Sequence, residues 1–260
     1  MASDSDEIRQ LIDRIKAGPV DAESFAQQLV SAEASGHLLA AFEKFASVSE
    51  LPVSRRRARR ADPVMLRVRI DLTGASPPVW RRLELASDLF LHEVHEIVQA
   101  AFGWDDSHLH RFGCGPTYYS RETEYYLCPF SADEGDEGVP EEQVRLDEVL
   151  VDVGDKLFYL YDFGDDWEHV FRLEAVLARD ASAPRAICTG GRRPGPPEDC
   201  GGIGGYELLV AATDPNNPDH ATACAECANT YGPDVDPNAW APTPFDIDEI
   251  NRKLSEFFAV

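Results

Sequence analysis

Two alternating runs, Lys156 to Tyr161 and Trp167 to Leu177, are separated only by Asp162-Phe163-Gly164-Asp165-Asp166. A glycine and three aspartates between two such runs read as a hairpin turn, so the chain must contain antiparallel sheet. Side chains alternate along a strand, so Trp167, His169, Phe171 and Leu173 share one face and His169 points into a core or a pocket floor. The same period marks an earlier strand, where Val64, Leu66, Val68, Ile70 and Leu72 alternate with Met65, Arg67, Arg69 and Asp71. Pro77-Pro78 interrupts the chain and Val79 to Leu85 resumes it as a strand.

Helical spacing then takes over at Leu91, Val94, Ile97, Val98 and Ala101, ending at Gly103, and a strand is expected near Leu109 to Gly113. Tyr206 to Thr213 reads as a short helix. A last helix is capped by Asp246, with Glu249 three residues on and Ile247, Ile250, Leu254 and Phe257 as its buried stripe. No period can be read in 178–205 or 214–244. Strands and helices without regular alternation favour an α+β fold, a largely antiparallel sheet with packed helices.

The period is different before residue 60. Ile8, Leu11, Ile12 and Ile15 recur at helical spacing, and a second helical stretch carries Phe25, Leu29, Leu38, Leu39, Phe42 and Phe45. Residues 1–50 are therefore expected as an N-terminal helical appendage, and 64–258 as the α+β domain. Between them, 51–63 holds five arginines in Arg55-Arg56-Arg57-Ala58-Arg59-Arg60, whose mutual repulsion suggests an exposed linker open to trypsin.

Charge narrows the partners. The formal charge is −23, and residues 1–60 carry nine acidic and nine basic side chains, so the whole excess falls on 61–260. A domain that acidic is not expected to bind nucleic acid strongly, because nothing in it would release phosphate counterions. No apolar run is long enough for a membrane span and the first residues lack a secretory pattern, so no membrane partner and a cytoplasmic location are expected. In that compartment the six cysteines are thiols or metal ligands. The acidic segment 131–143 is expected as a mobile loop.

Four constellations can carry chemistry. His108-x-His110 on a strand puts two imidazoles on one face, a spacing that can grip one metal ion, with His169 or Asp162 as third ligand. The alternative is that these histidines hydrogen-bond around Trp104 and the hairpin turn. Asp162, Asp165 and Asp166 can hold Mg²⁺ or serve as turn formers beside Trp167. Cys224-x-x-Cys227 has the spacing of half a zinc site, which Cys188 and Cys200 can complete. Gly190 and Gly191 before Arg192 and Arg193 can form an anion-binding nest for a phosphate or nucleotide. Zn or Mg are thus the candidate cofactors, with a small anionic ligand or a protein as partner.

Several strings together resemble the plasmid pRiA4b ORF-3-like family. They are Val79-Trp80-Arg81-Arg82, Leu91-His92, Phe102-Gly103-Trp104 with His108-Leu109-His110, Tyr161 to His169, and Pro197-Glu198-Asp199-Cys200-Gly201-Gly202 with Gly205-Tyr206. The resemblance spans about residues 64 to 258 and leaves out the N-terminal helices and the Cys224-x-x-Cys227 pair. It implies a small α+β protein of plasmids, chromosomes and insertion-element passengers, some bearing a resolvase-like label, and it brings no catalytic residue with it. Neither recombinase set, a serine amid arginines or a tyrosine with Arg-His-Arg, is legible. The expectation is a binding or accessory module. Its alternative is a metal-dependent hydrolase or nucleotide-binding enzyme using the His-x-His and the Asp-rich hairpin.

Overall fold

Leu66, Val68, Ile70 and Leu72 are buried while Arg67, Arg69 and Asp71 between them stay half-exposed, so the alternation in the first strand is a dry face and a wet face. The computed structural model describes residues 52–180, 182–232 and 236–259. The N-terminal helices expected within 1–50 lie outside them. Strands β1 (Met65–Leu72), β2 (Trp80–Ala86), β3 (His110–Cys114), β4 (Glu124–Leu127), β5 (Val139–Pro140), β6 (Lys156–Tyr161), β7 (Trp167–Leu177) and β8 (Ala186–Arg192) form one sheet ordered β5-β4-β3-β6-β7-β1-β2-β8. Six of the seven pairings are antiparallel and β4–β5 is parallel, so the sheet is mixed and the fold α+β.

Among the described residues six α-helices accompany it: α1 (Leu91–Phe102), α2 (Pro129–Asp133), α3 (Leu146–Val149), α4 (Gly202–Thr213), α5 (His220–Tyr231) and α6 (Ile247–Phe257). Helix α1 buries Leu91, Val94, Ile97, Val98, Ala101 and Phe102, and the Glu93 carboxylate accepts from the Phe90 N–H to close its first turn. After the exposed Lys156, strand β6 is buried from Leu157 to Tyr161 because both its faces are covered. Leu157, Tyr159 and Tyr161 join the main core, whereas Phe158 and Leu160 pack on the other side with Tyr118.

Arg81 is fully buried on β2 without a carboxylate. It donates to the carbonyls of Ala101, Trp80, Arg192 and Arg193 and lies between the rings of Phe102 and Phe245, tying α1, β2 and the end of β8 together. Burial lowers its pKa to about 10.

Strand β8 and helix α5 fall where no period was readable: β8 carries two glycines, and α5 is built from His-Ala-Thr-Ala-Cys-Ala with no strong apolar stripe. Strand β4, outside those stretches, is only four residues long. The last helix is capped by Asp246 as expected, but Glu249 pairs with Arg252, and Phe257 is 38% exposed rather than part of the stripe. Asn251 of α6 reaches the outer strand, its Oδ1 accepting from the Cys188 N–H at 2.7 Å and its Nδ2 donating to the Cys188 carbonyl at 3.0 Å.

The arginine run is a strap and not a free linker. Arg55 pairs with Glu122, Arg56 with Glu124, Arg57 with Asp152 and Asp155, and Arg59 with Glu148, while Arg60 donates to the Val151 carbonyl. The repulsion expected among five like charges is offset by carboxylates of the domain itself, and the chain divides at Leu51/Pro52, ahead of the run. Single exposed pairs contribute only about 0–1 kcal/mol each, and salt screens them. Tryptic cleavage between Arg55 and Arg60 should therefore be slow at low salt and accelerate in about 1 M salt, where screening acts within about 3 Å. Equal rates at both, corrected with an unstructured arginine peptide, would show that the strap does not hold. The acidic segment is also more ordered than expected: it contains β5 and the buried Glu141.

Candidate functional site

Asp162 divides its two carboxylate oxygens between structure and site. It lies in the left-handed region at φ 55°, and its Oδ1 accepts from the N–H groups of Gly164 (2.8 Å) and Asp165 (3.3 Å), the side-chain turn expected of Asp in a hairpin. Its own N–H donates to the Leu109 carbonyl at 2.9 Å, which fastens the turn to the 105–109 loop. Asp165 Oδ2 accepts from the Gly201 N–H at 3.0 Å and brings in the Pro197–Gly202 loop.

The three segments converge on His108. Its Nε2 lies 3.2 Å from Asp199 Oδ1, 3.6 Å from Asp162 Oδ2 and 3.8 Å from Glu198 Oε2, with none aligned as a hydrogen bond. Glu198 is aimed by its other oxygen, which accepts from the Tyr161 hydroxyl (3.0 Å) and the Asp105 N–H (3.1 Å). His108 Nε2 and Glu198 Oε2 are thus buried polar atoms without a hydrogen-bond partner. The Asp162 side chain is only 9% exposed and that of Asp199 is 72% exposed, so the cluster opens to solvent on the Asp199 side. Beside it lies a cleft of about 520 Å³ lined by Asp106 to His110 and by Cys128, Pro129 and Phe130.

His110 faces elsewhere. Strand β3 begins at His110, leaving His108 in the preceding loop, so the two imidazoles do not share a strand face and do not grip one ion together. His110 Nε2 meets Glu141 Oε2 at 2.9 Å, and its ring stacks on His95 of α1 with centroids 3.5 Å apart and planes 6° from parallel. His95 in turn bonds the Tyr159 hydroxyl through Nδ1 (2.8 Å) and Asp106 Oδ1 through Nε2 (2.9 Å). Burial, reinforced by His110 beside it, pushes the His95 pKa down to about 4, so this ring is neutral at pH 7.

His169 is a third separate case. It points inward as expected, packing edge-on against Phe102 and Trp104 with Nδ1 at 2.9 Å from the Trp167 carbonyl, and burial lowers its pKa to about 3. It is a core residue and ligates with neither cluster. Trp104 forms the site's floor, stacking on Tyr161 at 4.7 Å and donating from Nε1 to the Pro196 carbonyl, which anchors the loop that carries Glu198. Asp166 accepts from the Tyr119 hydroxyl on the outer side of the turn.

The other two constellations are not assembled. Cys188 lies on β8, Cys200 in a loop, and Cys224 and Cys227 inside α5; among the described residues, every cluster of three or more potential metal ligands is free of cysteine. A helix holds Cys224 and Cys227 where a zinc knuckle needs a turn. Gly190 and Gly191 are strand residues paired with Arg82 and Arg81, and a Cβ on Gly191 would lie 2.4 Å from the Phe245 ring, so Gly191 makes room for packing. Arg193 is paired with Glu207 rather than held ready for an anion.

Five residues of these clusters escaped the sequence reading: His95, Asp106, Glu141, Glu198 and Asp199. His95 had a signal, since it lies four residues after Leu91 on the buried helical stripe. Glu198 and Asp199 stood within the Pro-Glu-Asp-Cys-Gly-Gly string, and Glu141 was hidden among other carboxylates.

The profile of the plasmid pRiA4b ORF-3-like protein family matches residues 64–252. The chain is 33% identical over 169 residues to the uncharacterized protein y4hQ of Sinorhizobium fredii, covering 64% of this chain and 82% of that one. It is also similar to the crystal structure of a protein of unknown function, MM3350, from Methanosarcina mazei, at 28% identity and a TM-score of 0.54, covering 72% of this chain and 97% of that one.

Proposed function

This chain belongs to the plasmid pRiA4b ORF-3-like protein family, and we propose that it is a divalent-cation-dependent binding module. His108, Asp162, Glu198 and Asp199 hold the ion, whose remaining coordination positions face a small anionic ligand in the cleft. The observation that carries this reading is the pair of unpartnered buried atoms, His108 Nε2 and Glu198 Oε2, facing two further carboxylates. Buried charges are paired or coordinate metals, and here no Arg or Lys lines the cleft. The ion therefore supplies the positive charge an anion needs on a chain of formal charge −23. One imidazole with three carboxylates suits Mn²⁺ or Zn²⁺ better than Mg²⁺, which prefers oxygen alone.

Polyanions are poor candidates for the ligand, since the arginines of the strap are engaged by carboxylates. Six free thiols support a reducing, cytoplasmic setting, and among the described residues no helix is long and apolar enough to cross a membrane.

Asp162→Asn separates the site from the fold. Asparagine keeps the Oδ1 acceptor of the turn and removes the charge facing His108. Titration calorimetry with Mn²⁺ should show one ion bound per chain and at least about tenfold weaker binding in the variant, with stability changed by under about 1 kcal/mol. No binding by the native chain, or unchanged affinity in Asp162→Asn, would refute the proposal. The open side of the ion favours a second reading, metal-assisted phosphoester hydrolysis. Turnover of a nitrophenyl phosphoester with Mn²⁺, lost in the same variant, would select it.

A further inference from the structure

We propose that the wet face of the sheet carries a docking stripe for an extended, carboxylate-rich segment of a partner protein. The strand register builds it. Lys156 of β6 lies opposite Arg172 of β7, Arg172 opposite Arg69 of β1, and Arg69 opposite Arg82 of β2. Residues directly opposite one another share a face, so four cations stand in one row across four adjoining strands. Gly190 of β8, opposite Arg82, ends the row without a side chain. Such a row is destabilising by itself, because like charges directly opposite repel. Two of the four are compensated: Asp71 accepts from Arg69 at 2.6 Å and Glu174 from Arg82 at 2.7 Å. Lys156 and Arg172 are exposed, and among the described residues no carboxylate lies within 4.0 Å of either. The chain holds 47 acidic against 24 basic side chains, so these two do not go unpaired for want of carboxylates.

Spacing and surroundings select the occupant. Strands lie about 4.8 Å apart, so the row spans roughly 14 Å, and three same-face side chains of an extended peptide span about 13 Å. Three alternating carboxylates laid across the strands therefore match it. A single-stranded nucleic acid needs aromatic faces for its bases. Here the Trp80 ring is taken up by the guanidinium groups of Arg69 and Arg82, 4.4 and 5.2 Å from its centroid, and Phe158 in the adjoining row is buried. A short segment also senses mainly the charges within about 10 Å at 0.1 M salt, whereas a long polyanion meets the acidic remainder of the domain.

This inference does not depend on the His108 site. The probe is a fluorescein-labelled peptide of alternating glutamate and threonine, read by anisotropy against the full chain at about 10 mM salt, where charges act over about 30 Å. The peptide should bind the native chain. It should bind the double variant Lys156→Gln, Arg172→Gln about tenfold more weakly, through the loss of two exposed ion pairs. Both positions are exposed and each substitution removes a like-charge contact, so the melting temperature should hold or rise. Arg172→Lys, which keeps the charge, should bind as the native chain does. No binding by the native chain, or undiminished binding by the double variant, overturns the inference, as does equal binding of a peptide with glutamine in place of glutamate. An oligothymidylate bound more tightly than the peptide, and lost in the same variant, would assign the row to nucleic acid instead. Concentration-dependent self-association of the native chain that the double variant abolishes would make a second copy the occupant and overturn the choice of partner.

Discussion

Arg81→Met should lower the stability of the folded chain by about 3 kcal/mol or more, measured by urea unfolding. Methionine preserves the length of the aliphatic stem, so the effect reports on the guanidinium: its bonds to four carbonyls and its place over the rings of Phe102 and Phe245. That group serves the carbonyls of Ala101, Trp80, Arg192 and Arg193. Ala101 belongs to the last turn of α1, whose carbonyls have no partner within the helix. Each buried acceptor left unpaired costs about 1–3 kcal/mol, against which the gain from removing a buried charge is partial. For a domain of about 200 residues the melting temperature should fall by roughly 6–12 °C. A loss under about 1 kcal/mol would mean that the carbonyls find water and that Arg81 is not the tie between helix and sheet.

Gly205→Ala should be similarly damaging and should reach the site as well. A Cβ at this position would lie 1.6 Å from the Cys200 carbonyl oxygen and 2.7 Å from the Tyr231 hydroxyl, which itself donates to that carbonyl at 2.7 Å. The Cys200 peptide is held from both sides and must move, and Glu198 and Asp199 immediately precede it. We expect a loss of about 3 kcal/mol and Mn²⁺ binding about tenfold weaker. The neighbouring residue is an internal control, since a Cβ on Gly204 meets nothing within 4 Å. Gly204→Ala should raise stability by about 0.5–1 kcal/mol through helix propensity alone and leave ion binding unchanged. If the two variants behave alike, the close approach is not a constraint.

What could be read in the sequence follows from how far each interaction reaches along the chain. The hairpin, β1 and α1 were legible because one dry face imposes a period on neighbouring residues. Asp162 was legible as a turn former, which its Oδ1 is, while its Oδ2 faces His108. The histidine partners were not: Glu141 lies 31 positions from His110, inside a run of carboxylates that carries no period. The split of His108 from His110 was hidden for a related reason. Alternation places both on one face only if the strand includes both, and the strand starts at His110. The arginine run misled because repulsion within it was visible in sequence, whereas the carboxylates that offset it come from positions 122 to 155.

The amide of Asn251 at the rim of the sheet bears on how copies of this chain can meet. By engaging both backbone groups of Cys188 it occupies β8 as a short piece of neighbouring strand would, so an extended peptide arriving there must first displace it. At the opposite rim β5 is two residues long and one of them is Pro140, which has no N–H to offer. The sheet is therefore poorly suited to template its own extension from either margin. Crowding such chains together disfavours polymers built on backbone ladders, and it leaves recognition of another macromolecule to side chains on the faces and loops.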